Sequence, residues 1–263
     1  MDMSFYVGAL GASNCTDKLS VISNNLANVN NTAFKPKTAV FAELINYNLN
    51  DSPEAVTELQ AGAGMKLSRT YTGFGTAAIH QTGSQLDYAI MEPNAFFMVQ
   101  DPATGRITYT RNGHFHRGEM EDGFYLMTDS GKRVLDQNQE PLLLEVKDVE
   151  RLQAEMEEDF EPEEDEDDDD EEDEDKPKVS LYTFQNPSRL MSVGNDEYVP
   201  MDEGVEATLV ENPQMATGAL EGSGTDVARE FTRLIECQRA FSYALKMVQT
   251  SDEITTTINN LRG

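Results

Sequence analysis

The chain has 263 residues, enough for one or two domains with a sizeable core. Its formal net charge is −28, but 17 acidic residues sit between Glu157 and Asp175, and without that run the balance is −11. An acidic chain of this kind excludes nucleic acid as a natural partner, no apolar run is long enough to span a membrane, and no basic-then-apolar secretory leader is visible. The two cysteines, Cys15 and Cys237, form neither a disulfide framework nor a metal motif. They read as small buried side chains on helices. The alternative is a bridge between the terminal helices, which requires their sulfurs to meet.

The first element predicted is an amphipathic helix over residues 2 to about 30, about 40 Å long. Phe5, Gly8, Ala12, Cys15, Leu19, Ile22, Leu26 and Val29 recur at alternating steps of 3 and 4, the a/d seam of a coiled coil. The first half of the seam is rich in small residues, so a partner helix can approach closely there. Five asparagines then fall within eight residues, Asn24, Asn25, Asn28, Asn30 and Asn31. Asparagine is a weak helix former, and each amide carries donors and acceptors. The cluster therefore suits repeated hydrogen bonding to other backbones, and a helix buried in a globular core has little use for it.

From Ser23 to Lys35 the chain reads SNNLANVNNTAFK. This resembles the N-terminal signature of bacterial flagellar rod and hook proteins, which usually has a glycine where this chain has Ala33. Lys35 precedes Pro36 and is biased towards extended backbone.

Residues 36–64 read as a connector: a short helix or turn carrying Phe41, Leu44, Ile45 and Tyr47, then a polar loop. At Met65 the period changes to the strict alternation of a strand, MKLSRTY. The apolar run AFFMVQ (95–100), the turn segment DPATG and the segment RITYTR (106–111) predict a hairpin. Residues 124–128 and 132–135 around Asp129-Ser130-Gly131 predict a second. Residues 65–146 thus form the first part of a central antiparallel β-domain. The blocks Leu86-Asp87-Tyr88-Ala89-Ile90, Phe96–Val99 and Tyr109–Phe115 again resemble the rod family. His114 and His116 share one strand face, but no cysteine or carboxylate pattern completes a metal site, and they read as surface residues beside a turn.

Residues 147–178 carry the acidic run. Neighbouring carboxylates lie well inside the screening length of about 8 Å, and apolar side chains are nearly absent, so a disordered insertion is expected. It lacks the glycine and ligand order of an EF-hand; the functional alternative is a loose sink for divalent cations or a patch that repels wrong neighbours. Residues 179–211 return to strand pattern, with a turn at Gly194, and complete the β-domain; its Asn186–Leu190 and Val193–Tyr198 look like a second block of the family. Residues 212–225 are rich in glycine and small residues and read as a connector.

The last element, residues 226–263, is a second long helix. Val227, Phe231, Leu234, Gln238, Phe241, Leu245 and Val248 keep 4–3 spacing, and Ile254, Ile258 and Leu261 continue one position over, which widens the apolar face. Residues 230–241 and 249–253 resemble the C-terminal signature of the same family.

The fold expected is therefore α+β: N- and C-terminal helices in a coiled-coil-like pair, and a central antiparallel β-domain with an acidic insertion. Apolar face beyond what one partner covers favours open, head-to-tail assembly. The resemblance implies a structural subunit of the flagellar basal-body rod, distal type favoured. It also implies export through the flagellar type III apparatus without a cleaved signal, and assembly with copies of itself and with other rod and hook proteins. The interface residues expected are Leu19, Ile22, Asn24, Asn25, Leu26, Asn28 and Val29, facing Phe231, Leu234, Gln238, Arg239, Phe241 and Leu245. No nucleophile–base pair, phosphate loop or ligand cluster is visible, so neither catalysis nor a cofactor is expected. The alternative is a soluble cation-buffering protein that works through its acidic run.

Overall fold

The computed structural model describes residues 3–44, 47–48, 60–120, 123–144, 179–202 and 204–262. The expected acidic insertion, and with it the cation-buffering alternative, lies outside the described residues. The chain forms two compact units, one of Met1–Val29, Pro36–Gly73 and Thr225–Gly263, the other of Asn30–Lys35 and Phe74–Gly224.

The first unit holds α1 (Met3–Ala27), β1 (Lys37–Glu43), β2 (Tyr47–Asn48), β3 (Gln60–Ala61), β4 (Met65–Thr72) and α2 (Val227–Arg262). Asp226 caps α2, its Oδ1 accepting the Arg229 N–H at 3.1 Å. The helix or turn expected after Pro36 is instead β1. Phe41, Leu44 and Ile45 have helical spacing, but Thr38, Val40 and Phe41 suit a pleated surface. β4 supplies an antiparallel partner from Lys37↔Thr72 to Glu43↔Met65, with a bulge at Val40/Phe41. Non-local pairing outweighs the local signal. The pairing also places β4 in the unit of the terminal helices.

The second unit contains β5 (Ile79–Gln81), β6 (Tyr88–Ile90), β7 (Ala95–Gln100), β8 (Ile107–Thr110), β9 (Phe115–Met120), β10 (Gly123–Thr128), β11 (Arg133–Val134), β12 (Leu181–Thr183), β13 (Leu190–Gly194), β14 (Glu197–Pro200), β15 (Thr208–Leu209), β16 (Met215–Thr217) and β17 (Ala219–Glu221). Nine of them make one antiparallel sheet in the order β13-β14-β8-β7-β11-β10-β9, with β12 on the first half of β7 and β15 on β12. The two predicted hairpins, β7–β8 and β10–β11, are present. β7 is buried on both faces. Its Ala95, Phe97 and Val99 join one apolar cluster with Phe115, Leu126 and Leu181, while Phe96 and Met98 join another with Phe74, Tyr109 and Tyr198. Its unbroken apolar run is the consequence, since neither face meets water. At the β13–β14 turn, Asn195 and Asp196 adopt φ of 51° and 55°, as a two-residue hairpin turn requires. The connector expected at 212–225 forms two strands, β16 paired with β6 and β17 with β5. Gly218 (φ +68°) turns the chain between them. His114 and His116 are half-exposed, and His114 Nδ1 lies 2.9 Å from Asp87 Oδ1.

Residues 33–35 are strapped onto β17. The Ala33 N–H donates to Glu221 O at 2.8 Å, and Gly224 N–H to Phe34 O at 2.9 Å. Lys35 is fully buried. Its Nζ donates to Glu221 Oε1 and to Gly75 O, both at 2.7 Å. Arg111 Nε donates to Glu221 Oε2 at 3.1 Å, and its Nη1 to Ala95 O at 2.8 Å. One carboxylate thus serves two buried cations. Burial, and secondarily the Arg111 charge, lower the Lys35 pKa from 10.5 to about 8, against the opposing pull of Glu221.

Two outcomes follow for urea unfolding. Glu221→Gln strands both cations and should cost about 3–5 kcal/mol, whereas Lys35→Met leaves a neutral Arg111–Glu221 pair and should cost far less. Because the folded chain releases the Lys35 proton first, wild type should gain stability relative to Lys35→Met as pH rises from about 8 towards 10.5, the gain being absent below about 8.

Candidate functional site

α1 and α2 pack antiparallel. Ser4 Oγ meets Ser251 Oγ at 3.0 Å, Cys237 Sγ donates to Cys15 O at 3.1 Å, and Thr225 Oγ1 donates to Asn25 O at 3.2 Å, so the partner number falls as α1 advances. Small residues permit the approach. A Cβ added at Gly8 would stand 3.0 Å from Val248 Cγ2 and 3.3 Å from Ala244 O, and one at Gly11 would stand 3.7 Å from Ala244 Cβ. Cys15, Ile22 and Cys237 form the buried centre of the pair, with Leu19, Leu234 and Phe241 packed against it.

Of the residues expected at an interface, Leu19, Ile22, Leu234 and Phe241 therefore come together inside one chain. The side chains of Ile22 and Asn25 are both buried within the unit. The Asn25 amide makes a two-point bond to the main chain of Lys37: its Nδ2 donates to Lys37 O and its Oδ1 accepts the Lys37 N–H, each at 2.8 Å. It occupies the place of a neighbouring strand's peptide at the start of β1. The Asn28 side chain is also spent locally, donating to Asn24 O at 2.8 Å. Leu26, Asn28 and Val29 are half-buried, and Asn24 is exposed.

Sequence reasoning missed Asn14. It is buried on α1, donating to Met65 O at 2.6 Å and accepting from the Leu67 N–H at 3.1 Å. The signal was available, since a polar amide sits next to Cys15 on the seam, but its strand partner lies far away in sequence.

α2 leaves much of its apolar surface uncovered. Phe231, Ile235 and Leu245 are exposed, Phe231 to 48%, as are Gln238 and Arg239. Beyond the Ser4–Ser251 contact, residues 252–261 are all exposed. Ile254, Ile258 and Leu261, spaced 4 and 3, share one side of those last turns, with Ile258 at 54% and Leu261 at 83% exposure. Among the described residues no helix is long and apolar enough to cross a membrane, and no group of His, Cys, Asp and Glu is placed to hold a metal ion.

Asn25→Asp should destabilise this unit by about 2–4 kcal/mol, because it replaces a buried donor by a charge that faces the Lys37 carbonyl. Asn24→Ala should change stability by less than about 0.5 kcal/mol. Helix circular dichroism during urea unfolding separates the two.

Residues 216–261 match the family described as "Flagellar basal body rod FlgEFG protein C-terminal". The chain is 28% identical over 271 residues to the flagellar basal-body rod protein FlgG of Bacillus subtilis (strain 168), covering 98% of each chain. It is 27% identical over 277 residues to FlgG of Buchnera aphidicola subsp. Schizaphis graminum (strain Sg), covering 98% of this chain and 99% of the relative. FlgG of Borreliella burgdorferi is 27% identical over 281 residues, covering 100% and 99%.

Proposed function

We propose that this relative of the flagellar basal-body rod proteins is itself a structural, non-catalytic subunit of the rod, residing in the flagellar basal body. The observation that carries the reading is the uncovered apolar surface of α2, above all its last turns, in a chain whose full-length relatives carry rod names. Copies associate through their terminal helices, and because such a contact is not self-matching, repetition builds an open helical tube. The tube transmits torque towards the hook. The distal part of the rod is the favoured location. Neighbouring rod and hook proteins meet the ends of this segment, and the chain reaches it through the flagellar type III apparatus without a cleaved signal.

Burial of each exposed apolar side chain on association would contribute roughly 1.5–3 kcal/mol. The surface that matters is narrower than the helical seams suggest. Leu19, Ile22, Leu234 and Phe241 hold the subunit together, which leaves Phe231, Leu245, Ile254, Ile258 and Leu261 for neighbours, with Gln238 and Arg239 as polar contacts.

The double variant Ile258→Asp/Leu261→Asp should fold with a Tm within about 2 °C of wild type, since both side chains are already solvated. Cells carrying it in place of the wild-type gene should lose hook–basal bodies and motility. Normal swimming in that strain would overturn the reading. Electron microscopy of basal bodies with a labelled subunit locates it along the rod.

A further inference from the structure

Cys15 and Cys237 are all the cysteines of the chain, 222 residues apart in sequence and side by side in the folded unit. Both are free thiols. The Cys237 Sγ lies 3.1 Å from the carbonyl oxygen of Cys15, and the two side chains, with Ile22, form the buried centre of the helix pair. The small residues one and two turns away, Gly8, Gly11 and Ala12, draw the two helix backbones together on this side. A disulfide needs such proximity, with Cα atoms no more than about 7 Å apart.

We propose that Cys15 and Cys237 form a redox-closable staple: oxidation joins α1 to α2 by one intramolecular disulfide, and reduction reopens it. The bond closes within the chain because the closing pair brings the Cys237 Sγ against Cys15, and exposure there falls to 8% at Cys15 and 2% at Cys237 as the helices meet. No third cysteine competes. The inference does not depend on the assembly reading, since both thiols lie in one chain.

The oxidant is a small disulfide such as oxidised glutathione. Cys15, the more accessible of the two, loses its proton to solvent, and its thiolate attacks one glutathione sulfur. That bond forms as the glutathione S–S bond breaks, and one glutathione thiolate leaves. The Cys237 thiolate then attacks the Cys15 sulfur of the mixed disulfide and expels the second glutathione. The protein loses two electrons and two protons, and the oxidant becomes two thiols.

Burial pushes the Cys237 thiol up, and the adjoining Cys15 thiol adds to the effect. The packed helix pair is therefore a slow substrate, and the reaction runs fastest when the helices are parted. The staple then forms while the pair is closing rather than after, and it persists only in a compartment that oxidises thiols.

The test uses the full-length wild-type chain with oxidised glutathione, in buffer alone and in urea just below the unfolding midpoint. Thiols are counted by alkylation and the products mapped by peptide mass. The expected result is loss of both thiols, a single linked Cys15–Cys237 peptide lighter by two hydrogens, no disulfide dimer, and a rate at least about tenfold higher in urea. The oxidised chain should also melt at least about 5 °C above the reduced one, and reductant should abolish the gain. Cys15→Ser and Cys237→Ser should each stop at the mixed disulfide, but the mapping of the wild type decides the matter even if a variant fails to fold. Mixed disulfides at both positions, disulfide dimers alone, or a lower Tm after closure would overturn the proposal.

Discussion

The contact on which the first unit depends is the close antiparallel packing of two helices drawn from opposite ends of the chain. Its energetic core is small: Cys15, Ile22 and Cys237, supported by Leu19, Leu234 and Phe241. At Gly8 an added Cβ would crowd Val248 Cγ2 and Ala244 O, so the helices approach closely there and dispersion supplements the few apolar side chains. A pair held this way covers one narrow side of α2 and leaves its other sides to water.

Two buried amides turn that pair into a three-part structure. Asn14 and Asn25 stand on α1 and hydrogen-bond to strand backbone, Asn14 at β4 and Asn25 at β1. Each satisfies a carbonyl and an N–H that would otherwise be stranded beside a helix. The β1–β4 ribbon is thus fixed to α1 by polar contacts of set geometry rather than by apolar packing alone, which gives it one register. The second unit applies similar logic with charge, since Glu221 gathers Lys35 and Arg111 in a space with no water to spare.

What was legible in the sequence was whatever has a local signature. The seam from Phe5 to Val29 announced α1, the 4–3 spacing after Asp226 announced α2, and the apolar run at 95–100 announced the first arm of the β7–β8 hairpin. The sites were less legible. Of the asparagine cluster, Asn25 finds its backbone partner at Lys37, within the same chain. β1 hid because its pattern makes sense only beside β4. Glu221 hid in a stretch whose glycines and small residues read as connector, and nothing local says that a carboxylate there will meet a lysine from residue 35 and an arginine from residue 111. Charges that pair across such distances leave no periodic trace.

The helix pair has a further consequence for how copies of this chain are made and delivered. α1 emerges during synthesis well before α2, so the inner side of α1 stays bare until residues 227–262 have been made. A copy broken off anywhere before Thr225 has no helix to set against Gly8, Cys15 and Ile22. Closure of this unit therefore waits on α2, the last-made of its described elements.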